Sequence, residues 1–343
     1  MKKIVAVFAV LFISFGVGAF ASGAQEGGAD QDTGEPSVSV TLATGDARGS
    51  LRNLMGNELV KAIESRPELN ISVNHVEGPV LGAANEIMDQ VVEGSVDVFG
   101  NDLAWVAPYD DDFLPMSFGF VFRDIDHYQK YLASEPFADI VDRVAEDAGL
   151  RLVSATPMNA RLYFSTEPLN TADDFQGLKM RAPGLKMFVE TYKAYGMRPT
   201  TIAWNEIFLA LRTGVADAAQ GPAADVVAND WHLAAPHITR LDDMFAANGW
   251  YVNEEFWQSL TENQREGMIE AFAEVNDWGF AEAINNEQEI LNKMVEEDDA
   301  IYNDEFEEAE RLRLRERALE AARDLEESGE WSAGLIDQIN ALQ

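Results

Sequence analysis

Two hydrophobic periods alternate along residues 38–99, and few folds are open to a chain that does this. Val38-Ser39-Val40-Thr41-Leu42-Ala43 and Ile71-Ser72-Val73-Asn74-His75-Val76 repeat every second residue, the period of a strand with one buried face. Between them, residues 50–65 read as a helix with Leu51, Leu54, Leu59 and Ile63 on its apolar side. Residues 83–93 are again helical, and Val96-Asp97-Val98-Phe99 is a third strand. The order β-α-β-α-β needs crossover connections, and these place helices on the faces of a mostly parallel sheet. The fold class is therefore α/β.

The same alternation resumes downstream. Tyr128–Ala148 reads as a helix and Leu150–Ala155 as a strand. A second α/β unit begins near Asn159. It has a short strand Leu178–Arg181 before Pro183, a helix over 185–195 stopped by Gly196, a helix Trp204–Arg212 stopped by Gly214, and a strand Val215–Ala218. From Thr261 to about Glu297 one helical pattern runs with hardly a breaker, and Thr261 with Gln264 has the form of a capping box. Residues 296–310 hold nine acids and no base before Arg311, Arg313, Arg315 and Arg317. We read this stretch as a solvated helix with Glu307–Arg311 as an i,i+4 pair. A length of 343 residues suffices for two domains.

Composition removes several kinds of function. Acids outnumber bases 60 to 25, a net charge of −35, and such a surface repels phosphate backbones, which argues against a nucleic-acid partner. Cysteine is absent, and the four histidines (His75, His127, His232, His237) stand in no metal-ligand spacing. Neither a metal nor a redox cofactor is expected. No G-x-S-x-G elbow, P-loop or G-x-G-x-x-G follows a strand. The paired acids Asp110–Asp112, Asp173-Asp174 and Asp242-Asp243 are what composition alone would produce.

The chain starts like an export signal. Lys2 and Lys3 precede an apolar run from Ile4 to Phe20, and Ala19-Phe20-Ala21 has the small-x-small form of a cleavage site, with Ser22 next. The run is short for a membrane span and polar residues follow at once. We therefore expect a signal peptide over 1–21, a flexible tether over 22–36, and a soluble mature protein in the periplasm.

In this acid-rich chain, bases at strand ends stand out. Arg181 closes a strand in Gly177-Leu178-Lys179-Met180-Arg181-Ala182-Pro183, and Arg161 follows the strand at 150–155. Ligands of open α/β sheets collect at the carboxyl ends of strands, and a guanidinium suits a carboxylate through two parallel N–H bonds. An arginine at such a place can equally be a surface ion pair.

Around these residues the sequence resembles the periplasmic solute-binding proteins of TRAP transporters, of the dicarboxylate-binding type. The similarity runs through Gly177–Pro183, Gly196-Met197-Arg198-Pro199-Thr200 and Trp204–Asp217, with Leu81-Gly82, Glu93–Asp97 and Leu114–Phe118 upstream. It covers about residues 37–300. The resemblance implies a two-domain periplasmic binding protein, type II-like, with a long helix spanning both domains. The implied boundaries are 37–158 plus about 247–286 for the first domain and 159–246 plus about 287–330 for the second, leaving 331–343 as a C-terminal tail. It also implies a cleft that closes on a small organic acid and a monomer that delivers it to an ion-driven permease. By the resemblance, Arg181 bonds the ligand carboxylate, Arg161 adds a second contact and Trp204 packs on the ligand. Gly221 stands where the family commonly has a ligand-bonding asparagine, so that contact is lost or taken by Gln220 or a water. Asn101 and Asp102, in a strand-end loop, and Trp105, one helical turn on, are further candidates. Whether the acid is a sugar acid, an aryl or branched-chain acid or a dicarboxylate stays open. So do two other roles: a receptor of the same fold that serves a sensor or chemoreceptor, and an exported hydrolase.

Overall fold

A computed structural model describes residues 34–342. The expected signal peptide and most of the expected tether lie outside these residues. Two sheets organise the chain. The first has the order β2-β1-β3-β10-β4, from β1 (Val38–Thr44), β2 (Ile71–Glu77), β3 (Val98–Asp102), β4 (Leu150–Ala160) and β10 (Phe245–Asn253). The second has the order β11-β9-β5-β8-β6-β7, from β5 (Leu162–Ser165), β6 (Lys179–Ala182), β7 (Arg198–Thr201), β8 (Ala218–Gly221), β9 (His237–Thr239) and β11 (Ile301–Asn303). In each sheet one strand runs against the rest: β10 in the first, β5 in the second. The α/β, mostly parallel class holds, with one reversed strand per sheet.

These two reversed strands are where the chain changes sheets. β4 ends at Ala160 and β5 begins at Leu162, so Arg161 alone links them. The return path runs through 240–244 into β10, and the Arg161 N–H donates to the Met244 carbonyl at 2.8 Å, clamping the two crossings together. The third link is the helix Glu262–Glu297, 36 residues long, capped by Thr261 and Gln264 in a reciprocal box as its sequence predicts. Its first half buries Met268, Phe272 and Val275 in a core with Val40, Leu42 and Met55. Its second half buries Leu291 and Met294 in a core with Leu162, Phe164 and Ile238. Asn159 ties the middle of this helix to the crossing by donating to the Ala283 carbonyl at 2.7 Å. Gly279 lets the helix Leu51–Glu64 come close, since a Cβ there would lie 2.6 Å from Met55.

Several expectations need correction. Leu54 is 42% exposed, and the helix Leu51–Glu64 turns Arg52, Asn53 and Met55 inward with Leu59 and Ile63. The third strand begins at Val98 and takes in Asn101 and Asp102, so neither residue is in a loop. Tyr128–Ala148 is two helices, Ile125–Leu132 and Glu135–Ala148, because Pro136 at the start of the second cannot continue the first. The strand placed at Val215–Ala218 spans Ala218–Gly221 instead. The expected tether cannot reach Pro36: the Glu35 carboxylate accepts from Thr261 at 2.7 Å and Asn263 at 3.0 Å, and Gln264 donates to the Pro36 carbonyl. The acidic run is no single helix, since β11 interrupts it and a helix restarts at Glu308. Arg311 does not pair with the Glu307 side chain. It donates to the Leu241 and Asp242 carbonyls and stacks over Phe120. The C-terminal segment holds a short helix, Leu335–Ala341, with Leu335, Ile336 and Ile339 buried in a core with Phe113 and Phe188.

Candidate functional site

A cavity of about 650 Å³ opens between the two sheets. It gathers six of the eight residues singled out in the sequence: Asn101, Asp102, Trp105, Arg161, Arg181 and Trp204. Its walls also include Asp46, Arg52 and Phe188, which sequence reasoning missed.

Arg181 stands near the end of β6, 4% exposed. Its Nε donates to the Ile202 carbonyl at 2.9 Å, and its guanidinium lies 5.5 Å over the Trp204 ring. No carboxylate pairs with it among the described residues, and neither terminal nitrogen has a protein acceptor there. Burial pushes its pKa down to about 9, opposed by the Tyr192 hydroxyl and helped by Arg161. A desolvated cation without a counter-charge is costly to hold. Trp204 opens a single turn of helix, Trp204–Glu206, and meets Trp231 edge-on at 4.5 Å.

The neighbouring arginines are the reverse case. Arg161, on the one-residue link, gives Nη1 to Asp102 at 2.9 Å and Nη2 to the Gln220 carbonyl at 3.4 Å, with its guanidinium 5.2 Å over Phe188. Asp102 also accepts from Arg52 at 3.1 Å, and Arg52 bonds Asp46 at 3.2 Å. Asp225, at the start of the helix Ala223–Ala228, places a carboxylate oxygen 3.7 Å from Arg52. Burial alone would lower the Arg52 pKa, but Asp46, Asp102 and Asp225 together hold it above its ordinary value. Burial pushes Asp225 up to about 7 against the pull of Arg52. A signal for Arg52 existed: it sits with Asn53 on the inward side of a helix, a polar pair where the apolar period would place a core residue.

Gln220 and Gly221 do not reach the cavity, which corrects their expected role. The Gln220 side chain turns the other way, accepting from Tyr192 at 3.1 Å and facing Asp243 at 3.4 Å. Tyr163 and Tyr195 donate to the same Asp243 carboxylate at 2.7 and 2.9 Å. Gly221 lies behind the aromatic wall, where a Cβ would come within 3.1 Å of Trp231 and 3.5 Å of Trp204. A larger residue would press first on Trp231, which packs against Trp204. Trp105 contributes from the turn Leu103–Val106. Asn101 accepts the Asp102 N–H on Oδ1 at 2.7 Å, and its amide NH2 has no acceptor among the described residues.

The arrangement can hold an anion but offers no positioned nucleophile. Comparison with known proteins agrees. The family model of bacterial extracellular solute-binding proteins, family 7, matches residues 47–328, a family of binding proteins and not of enzymes. A solute-binding protein of Sulfitobacter sp. NAS-14.1 is 26% identical over 228 residues, 66% of this chain and 67% of its own. The fold is also that of a TRAP periplasmic solute-binding protein from Shewanella oneidensis with bound succinate, at TM-score 0.83 and 17% identity, covering 90% of this chain and 99% of that one. A second such structure, from Sulfitobacter sp. NAS-14.1 with bound α-D-taluronate, gives TM-score 0.80 and 21% identity over 88% of this chain and 97% of that one.

Proposed function

The chain belongs to family 7 of the bacterial extracellular solute-binding proteins, and we propose that it captures a small organic acid in the cavity between its sheets and delivers it to a TRAP-type permease. The observation that carries this reading is Arg181, a buried guanidinium whose two terminal nitrogens have no acceptor among the described residues and whose face lies on Trp204. A carboxylate is the group that satisfies such a fork, through two charge-assisted bonds. Arg161 and Trp204 complete the grip, and Trp105 closes the wall.

In this reading the two bodies are residues 37–158 with about 247–286, and 159–246 with about 287–330. They rotate about Arg161, the crossing at 240–244 and the long helix, a hinge of few residues that leaves both cores intact. Residues 1–21 direct export to the periplasm, and the protein acts as a monomer. No helix among the described residues is long and apolar enough to cross a membrane.

Thermal-shift screening of carboxylic acids against their amides and alditols tests the reading. Acids are expected to raise the melting temperature, by mass action, and their neutral analogues are not. Equal stabilisation by an acid and its neutral analogue would overturn it.

A further inference from the structure

The cavity does not treat its two ends alike. At one end Arg181 has two terminal nitrogens without acceptors among the described residues. Arg161 stands next, close enough for its charge to act on Arg181, and toward the other end it and Arg52 are paired: Asp102 accepts from both, at 2.9 and 3.1 Å, and Asp46 and Asp225 lie 3.2 and 3.7 Å from Arg52. Glu86 at the cavity wall adds another acid, and no lysine lines the cavity. A carboxylate brought to this end meets Asp102 and, among the described residues, no cation that lacks a counter-charge, and juxtaposed buried like charges are strongly disfavoured. A hydroxyl meets compatible groups there. It can donate to Asp102 and accept from the unengaged amide NH2 of Asn101.

Resting on the carboxylate-binding reading, we infer that the cavity selects hydroxylated monocarboxylic acids, with the carboxylate on Arg181 and a neutral hydroxyl-bearing end at Asp102 and Asn101. Asp102 is the residue that rejects a second carboxylate. Specificity here comes from a repulsive element as much as from an attractive one.

The test uses acids matched in all but the far end: D-gluconate against D-glucarate, and D-erythronate against meso-tartrate, titrated calorimetrically into the whole protein. Each dicarboxylate replaces one terminal CH2OH with a carboxylate. In the unaltered protein at least one monocarboxylate should bind at least about tenfold tighter than its partner, the lower bound for a like-charge clash. In Asp102→Asn the ratio should shrink at least about tenfold, because the dicarboxylate gains affinity. Arg181→Met should abolish binding of both partners.

Dicarboxylates that bind as tightly as their partners in both pairs overturn the selectivity, and an unchanged ratio in folded Asp102→Asn overturns the role of Asp102. Both results leave the carboxylate reading standing if Arg181→Met still abolishes binding. Should Asp102→Asn fail to fold, Asn101→Leu replaces it, and it must weaken the monocarboxylate more than the dicarboxylate or the assignment of the neutral end is overturned. Silence from all four acids in the unaltered protein overturns the carboxylate reading and this inference with it.

Discussion

The cavity holds the same kind of side chain in opposite electrostatic states. Arg52 and Arg161 are buried with their counter-charges built into the fold. Arg181 is buried to a similar degree with none among the described residues. An arginine paired within the protein has its burial offset by the fold, whereas one without a counter-charge is held at a cost that a bound anion would relieve. The difference divides the expected effects: removing Arg52 should cost stability, and removing Arg181 should cost binding.

The sharpest break of that comparison is Arg52→Met. It would leave Asp46, Asp102 and Asp225 around an apolar side chain, and losing one partner of a buried ion cluster typically costs about 3–5 kcal/mol. Urea denaturation should show this loss, and a change well under 1 kcal/mol would mean that the cluster is not structural. Arg181→Met should do the opposite. Ligand affinity should fall by about 2–5 kcal/mol, while the unliganded protein melts no earlier, since a lone buried charge has been removed. A melting temperature that drops as far as in Arg52→Met would reveal a partner for Arg181 within the protein.

Acidity sharpens the comparison from another side. The folded protein keeps the proton on Asp225 up to about pH 7, whereas the unfolded chain releases it near about 4. The folded state thus binds more protons within this window, and stability falls as pH rises through it. Asp243, pushed up to about 6 by burial, adds a slope of the same sign. Asp225→Asn should flatten the fall by up to about 1.4 kcal/mol per pH unit, read from melts between pH 4 and 8. An unaltered pH profile would show that Asp225 stays ionised in the fold.

The smallest effect expected is that of Trp204→Leu. It removes the ring beneath Arg181 and should weaken ligand binding by about 1 kcal/mol. Ligand-induced tryptophan fluorescence should shrink with it. A loss as large as that in Arg181→Met would mean that the ring carries the site and the charge does not.

Local chemistry was readable wherever a short segment decides its own conformation. The capping box at Thr261, the glycine stops after Ala194 and Thr213, and the strands at 38 and 71 all follow from residues within a few positions of one another. The edge strand β11 was hidden in an acid run whose composition mimics a solvated helix. β10 carries no such alternation to announce it, because it lies between β3 and β4 in the middle of a sheet and is buried almost throughout.

The site divides along the same line. Sequence by itself determined the α/β class and, through resemblance, pointed to Arg181, Arg161 and Trp204, since those residues sit in segments whose order and spacing can be read along the chain. It could not say which arginine is free. Arg52 meets Asp102 across 50 positions, Arg161 meets Asp102 across 59, and Gln220 turns to Asp243 across 23. Charge neutralisation is set by distances of about 3 Å between atoms that the chain separates widely, and only the packed tertiary structure brings those atoms together.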